Sequence, residues 1–228
     1  MSGATPPGRG TVIAIDGPAG SGKSSVARAV ARALGFQFLD TGAAYRALTW
    51  LILERGGDTD DEATVIGSLS ALQSLELTVD AAGEHVAIDG TDVTEPIRSE
   101  RISGAVSGVA RTLAAREAVN VRFREIIADA DPGIVAEGRD ITTVVAPDAD
   151  VRVLLTADEA VRIRRRFGDV GGDANQVGAS LAARDASDSR VVDFLNAAEG
   201  VTVVDSTDLT FDETVDAIVR LATEEHHD

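Results

Sequence analysis

The stretch Thr11-Val12-Ile13-Ala14-Ile15-Asp16-Gly17-Pro18-Ala19-Gly20-Ser21-Gly22-Lys23-Ser24 decides the fold. Thr11 to Ile15 is a short, mostly β-branched run that suits a buried parallel strand. Beyond Ser24, apolar residues Val26, Ala29, Val30, Ala33 and Leu34 recur at helical spacing, and Gly35 fits a C-terminal cap. Strand, glycine loop and helix therefore follow one another, and Gly17-x4-Gly22-Lys23-Ser24 is the spacing of a phosphate-binding loop. Glycines let backbone N–H groups turn inward around phosphate oxygens, while the following helix presents its positive end. In that reading Lys23 bridges the terminal phosphates as a point charge, and the Ser24 hydroxyl sits on Mg²⁺. A plain glycine turn ahead of a helix would require neither side chain.

Working outward, buried strands are expected at Gly133-Ile134-Val135-Ala136, at 151–155 and at 201–204. Helices are expected at 45–55, 102–129, 159–167 and 212–223. Strands alternating with helices indicate an α/β fold, a parallel sheet with helices on both faces. Residues 75–88 break the alternation. Leu75-Glu76-Leu77-Thr78-Val79, a turn at Asp80-Ala81-Ala82-Gly83 and His85-Val86-Ala87-Ile88 form a β-hairpin pattern and read as an insert. The glycine-rich stretch 168–178 follows a cluster of arginines and reads as a mobile loop or lid. The Pro- and Gly-rich start, residues 1–10, reads as frayed.

The chain has 228 residues, 44% hydrophobic and 26% charged, the balance of a globular protein rather than a disordered or collagen-like one. It has no cysteine, which excludes disulfides, thiolate metal sites and a Cys nucleophile. The start has no apolar leader, and no run reaches the 18 or so apolar residues of a membrane span, so a cytoplasmic protein is expected. A net charge of −17 argues against nucleic-acid and membrane partners, because its field repels both. Of the 21 basic residues, Lys23 alone is lysine and the rest are arginine. A guanine-reading Asn-Lys-x-Asp motif needs a second lysine, so GTPases drop out. Motor-type ATPases and small-molecule kinases stay in play.

Three arginine-bearing segments stand where ligands could bind. Asp40-Thr41-Gly42-Ala43-Ala44-Tyr45-Arg46 opens a helix, with Arg46 about one turn in. Glu137-Gly138-Arg139-Asp140 ends the 133–136 strand, at the carboxyl edge where open α/β sheets take ligands. Arg162, Arg165 and Arg166 share a helix face, an unfavourable grouping without an anion. The plainer reading of Arg46 and Arg139 is an ordinary salt bridge, and of the third cluster a solvated basic face.

From about Val12 to Ala222 the chain resembles the bacterial cytidylate kinases, also called (d)CMP kinases. The residues that carry the resemblance are 15–24, Leu39-Asp40-Thr41-Gly42-Ala43-Ala44-Tyr45-Arg46 and Asp92-Val93-Thr94-Glu95-Pro96-Ile97-Arg98. They continue with Glu137-Gly138-Arg139-Asp140-Ile141, Thr143-Val144-Val145, Pro147-Asp148-Ala149, and Arg184-Asp185 with Asp188-Ser189-Arg190. The resemblance implies a nucleoside-monophosphate kinase fold. Its core comprises 11–57, 104–161 and 184–224, with an acceptor-binding insert at 58–103 and a short lid at 162–183. It implies transfer of a phosphoryl group from ATP, with Mg²⁺, to CMP or dCMP by a monomer. ATP would be held by Gly17, Pro18, Ala19, Gly20, Ser21, Gly22, Lys23, Ser24 and Ser25, with Arg162 and Arg166 from the lid. CMP would be held by Thr41, Tyr45, Arg46, Ser107, Arg116, Arg139, Asp140, Arg184, Asp188 and Arg190. Lys23, Arg139, Arg165 and Arg184 would serve the transfer itself. The segment 188–195 is one residue shorter than the family's spacing, and Thr142 stands where the family has glycine. Two other readings are a kinase of another acceptor such as UMP, and a nucleotide-binding switch without phosphoryl transfer.

Overall fold

The computed structural model describes residues 10–170, 173–189 and 193–224, so the first nine residues, expected to fray, lie outside it. Five strands make one parallel sheet: β1 (Thr11–Asp16), β2 (Gln37–Asp40), β6 (Gly133–Gly138), β7 (Val151–Thr156) and β8 (Thr202–Asp205), in the order β2-β6-β1-β7-β8. The β1 register pairs Asp16 with Gly138 on one side and with Leu154 on the other. The carboxyl ends of the three central strands therefore come out together. Alternate residues of β1 face opposite ways, as strand pleating requires. Val12 and Ala14 join a core beneath α2 (Thr41–Glu54) and α5 (Leu113–Ala128), whereas Ile13 and Ile15 join another beneath α1 (Lys23–Leu34) and α8 (Phe211–Glu224). Helices thus cover both faces of the sheet. Phe123 anchors the first core, where truncation to Ala costs about 3–5 kcal/mol.

The strand pattern in 75–88 forms the expected antiparallel pair, β3 (Glu76–Leu77) with β4 (Val86–Ile88), and β5 (Thr91–Asp92) adds a third strand. Asp80 shapes the connecting turn by accepting from the Ala82 N–H at 2.8 Å. This small sheet is tied to the main one by arginines of α1. Arg28 donates to the Gly83 carbonyl at 2.7 Å while stacking on Phe38, and Arg32 donates to the Ala81 carbonyl at 2.7 Å. Helix α3 (Glu62–Ser68) precedes it, and α4 (Glu100–Arg111) returns the chain to the core.

Two segments differ from the sequence expectation. The single helix expected over 102–129 is two helices, α4 and α5, separated at Thr112, whose backbone is extended (φ −72°, ψ 115°). The Thr112 hydroxyl donates back to the Gly108 carbonyl at 3.3 Å, and its own carbonyl starts α5 by accepting from the Arg116 N–H at 3.1 Å. The glycine-rich loop expected over 168–178 is mostly helix. Helix α6 (Glu159–Val170) runs through Gly168, and α7 (Ala174–Asp188) begins at once after Asp173, whose side chain accepts from the Gln176 N–H at 3.2 Å. Alanines 174, 179, 182, 183 and 186 favour that helix. Gly178 lets α7 approach α6, since a Cβ there would stand 3.0 Å from Ile163 Cδ1. Among the described residues, no helix is long and apolar enough to cross a membrane.

Candidate active site

At the carboxyl edge of the sheet the backbone cannot continue as strand or yet start as helix, so Gly17 to Gly22 loops between β1 and α1. Gly22 takes φ 88° and Gly20 φ 76°, values that L side chains avoid. A Cβ at Gly20 would also meet the Arg162 carbonyl oxygen at 2.8 Å. From the other side the loop is gripped by α6 and α7. Arg162 donates to the Ala19 carbonyl at 2.9 Å and to Asp185 at 2.6 Å, and Asp185 accepts from the Ala19 N–H at 2.9 Å. Arg165 reaches the Ser21 carbonyl at 3.2 Å and Ser206 at 2.9 Å.

The loop forms one end of a cleft of about 510 Å³. Lys23, Ser24 and Ser25 line it there, with Ala19, Gly20 and Gly22. Thr41, Tyr45, Arg46, Ser107, Arg116, Arg139, Asp140, Arg166 and Asp188 also line it. The structure thus brings into one space residues that lie as far apart as 19 and 188 in the chain. Gly17, Pro18 and Ser21 support the loop without lining the cleft. Arg162 and Arg165 meet protein groups behind the loop instead. Arg190 and the side chain of Arg184 lie outside the described residues.

Each of these cleft-lining groups has a structural reason for its place. Asp40 caps α2 by accepting from the Ala43 N–H at 3.0 Å, and it pairs with Arg46 at 2.7 Å. The Thr41 hydroxyl donates to the Glu137 carbonyl at 2.7 Å, joining α2 to β6. The break at Thr112 starts α5 one turn before Arg116, which pairs with Asp140 in the cleft. Arg139 lies over the Phe194 ring and donates to Asp188 at 2.9 Å and to the Gly17 carbonyl. The Tyr45 hydroxyl is buried among these groups without a hydrogen-bond partner.

The charges are pushed in opposite directions. Burial opposes the Asp40 carboxylate, but the Arg46 and Arg98 guanidiniums and the Ala43 N–H outweigh it and hold its pKa below the ordinary value. Burial raises that of Glu137, and the Asp40 charge adds to the rise against Lys23 and the Ser24 hydroxyl. Burial likewise raises Asp140, which Arg116 counters only in part and the Asp16 charge reinforces. Burial and the Asp140 charge raise the Tyr45 phenol, so Tyr45 is a neutral donor.

Sequence reasoning missed four groups here. Glu137 is 3% exposed and accepts from the Ser24 hydroxyl at 2.7 Å. Asp16 is buried behind the loop, Asp185 holds its backbone, and Arg98 lines the cleft beside Arg46. The signal for Glu137 and Asp16 was an acid directly closing an apolar strand. Ser24 and Glu137 set two hard oxygens together, a donor set that suits a magnesium ion completing its shell with phosphate oxygens and water.

Comparison with known proteins gives a consistent result. The family model described as cytidylate kinase matches residues 13–224. The chain is 48% identical over 212 residues to a cytidylate kinase of Cutibacterium acnes, covering 92% of this chain and 95% of that protein. It is 41% identical over 225 residues to a cytidylate kinase of Streptomyces coelicolor, covering 98% and 97%. Among solved structures, a Thermus thermophilus protein superposes with a TM-score of 0.51 at 17% identity, covering 96% of this chain and 98% of that one, a likeness of fold.

Proposed function

Because the chain belongs to the cytidylate kinase family, we propose that it transfers the γ-phosphoryl group of ATP to the phosphate of CMP or dCMP, giving ADP and CDP or dCDP. The observation that carries the site assignment is one cleft lined both by Lys23 and Ser24 and by Arg116 and Asp140. A nucleoside monophosphate has its phosphate and its base at opposite ends, and the cleft offers cations to one and a paired carboxylate to the other.

The acceptor phosphate is already an oxyanion near neutral pH, so no general base is required. Catalysis is positioning together with neutralisation of the charge on the transferring group. Lys23 and the loop N–H groups hold the donor phosphates. Arg46 and Arg139 face the acceptor phosphate, and their carboxylate partners Asp40 and Asp188 keep the guanidiniums in place until it arrives. Thr41 and Tyr45 line the sugar region. Asp140, oriented by Arg116, accepts from the exocyclic amine of cytosine and repels the carbonyl that uracil has there. Ser107 completes that end. Ser24 and Glu137 are the residues that would hold Mg²⁺, which supplies further charge neutralisation on the phosphates. Arg162, Arg165 and Arg166 belong to the segment that covers ATP, with Arg184 and Arg190 assigned to the acceptor phosphate by family resemblance. In this reading the protein is taken as a monomer, with 58–103 as the acceptor-binding unit and 162–183 as the lid.

An ADP-release assay with CMP, dCMP, UMP and AMP tests the reading. Turnover of CMP and dCMP well above UMP and AMP is expected. ATP binding with no turnover of any acceptor would replace the kinase with a nucleotide-dependent switch, and turnover led by UMP would replace the acceptor.

A further inference from the structure

The Asp16 carboxylate, 2% exposed, ends the central strand directly before the phosphate-binding loop. Its hydrogen bonds come from two consecutive residues of the segment that follows β6. Oδ1 accepts from the Ile141 N–H at 2.9 Å, and Oδ2 accepts from the Thr142 N–H at 2.8 Å and the Thr142 hydroxyl at 2.6 Å. Thr142 is itself 3% exposed. Immediately before these two residues stands Asp140. Its carbonyl accepts from the Val144 N–H at 2.9 Å and the Val145 N–H at 3.1 Å. The peptide after Asp140 is therefore fixed to Asp16, and its carbonyl is fixed to the turn beyond, which leaves the direction of its side chain little freedom.

We propose that the Thr142 hydroxyl is a positioning residue for acceptor-base selection, acting through Asp16 to hold Asp140 at the angle from which it meets Arg116 and the base. The proposal rests on the reading of Asp140 given above. An N–H pair alone defines one contact plane for a carboxylate. The hydroxyl adds a third donor from a different direction, so Asp16 cannot rock against the turn. Hydrogen bonds to an ionised, buried acceptor are short and strong, and 2.6 Å is in their range. Burial raises the proton affinity of Asp16, and donation from Thr142 opposes it. Removing the hydroxyl thus loosens the turn behind Asp140. The donor loop starts on the other side of Asp16 and is held by Asp185 and Arg162, so ATP binding is expected to change less than base selection.

The test uses Thr142→Val, which keeps the shape and loses the hydroxyl, with Thr142→Ala in its place if the valine variant does not fold, and Thr142→Ser, which keeps the hydroxyl. Steady-state kcat/KM for CMP and for UMP, KM for ATP and thermal stability are measured on each. The CMP to UMP ratio is expected to fall about tenfold in the variant without the hydroxyl, the worth of one charge-assisted hydrogen bond, chiefly through KM for CMP. KM for ATP is expected to stay within about twofold, and Thr142→Ser is expected to restore the ratio. A lowered Tm with the wild-type ratio would overturn the proposal, as would a serine variant as impaired as the valine one. A wild-type enzyme that does not favour CMP over UMP would overturn the reading of Asp140 instead, before any variant is compared.

Discussion

Two parts of the cleft lining are built in opposite ways. The part proposed for the donor is one continuous loop with two neighbouring side chains, Lys23 and Ser24. The part proposed for the acceptor takes Thr41, Tyr45 and Arg46 from α2, Ser107 from α4, Arg116 from α5, and Arg139 and Asp140 from the end of β6. A phosphate chain is the same in every nucleoside triphosphate, so backbone dipoles and adjacent side chains of one local segment can hold it. Choosing one base requires side chains set at a defined distance from each other, and only a folded chain can bring them together.

The contrast breaks most visibly at Lys23. Lys23→Ala is expected to lower kcat by about a thousandfold while the circular dichroism spectrum and Tm stay those of the wild type, because a cleft-lining cation contributes little to the core. A folded variant with wild-type turnover would remove the donor end from the mechanism. At the other end, Asp140→Ala is expected to reduce the CMP to UMP ratio of kcat/KM by about ten- to a hundredfold with KM for ATP little altered. An unchanged ratio would make Asp140 a structural partner of Arg116 and move base selection elsewhere.

Asp40 sharpens the comparison through pH. Its carboxyl is held below the ordinary value in the fold, so it stabilises the protein above about pH 4, where the unfolded chain is also ionised, and that contribution disappears as pH falls through the lowered value. Asn retains the cap on Ala43 but not the pairing with Arg46. Asp40→Asn is therefore expected to lose about 1–2 kcal/mol near neutral pH, with the Tm gap to wild type closing as the solution is acidified below about pH 4. A gap that widens on acidification would reverse the assignment. The smallest effect is expected where the small sheet meets the end of α2: Arg55 and Asp89 pair at 2.7 Å with both side chains more than half exposed. Arg55→Ala should change stability by less than about 0.5 kcal/mol, as denaturant midpoints would register.

The same contrast governs what could be read from the sequence. The loop at 17–24 is legible because its chemistry is local: glycines, lysine and serine at fixed spacing before a helical pattern. The parallel sheet and the 75–88 hairpin are legible for a similar reason, since apolar periodicity and turn residues act over a few positions. The Arg116–Asp140 pair spans 24 residues and depends on a helix break at Thr112 that an uninterrupted helical pattern concealed. Only family resemblance pointed to both residues. The glycines at 168 and 178 suggested a loop, but Gly168 lies within α6, and Gly178 lies in the alanine-rich α7 where a Cβ would crowd Ile163. Asp185 and Asp16 escaped notice because their role is to hold backbone of segments distant in sequence.

The strand order also dictates when this protein can fold as a ribosome makes it. β1 lies at the centre of the main sheet, yet its partners are β6 and β7, and β2 pairs only with β6 among the described strands. The first two strands emerge early and must wait, unpaired, until residues past 138 have left the exit tunnel. The small sheet has partners within a few residues of one another and can close meanwhile. Long-range parallel pairing is slow to form and leaves apolar strands open to wrong partners. Stalling synthesis before β6 should therefore yield a chain with the insert's local structure but a protease-sensitive start, and release of about 20 further residues should be the step that protects it.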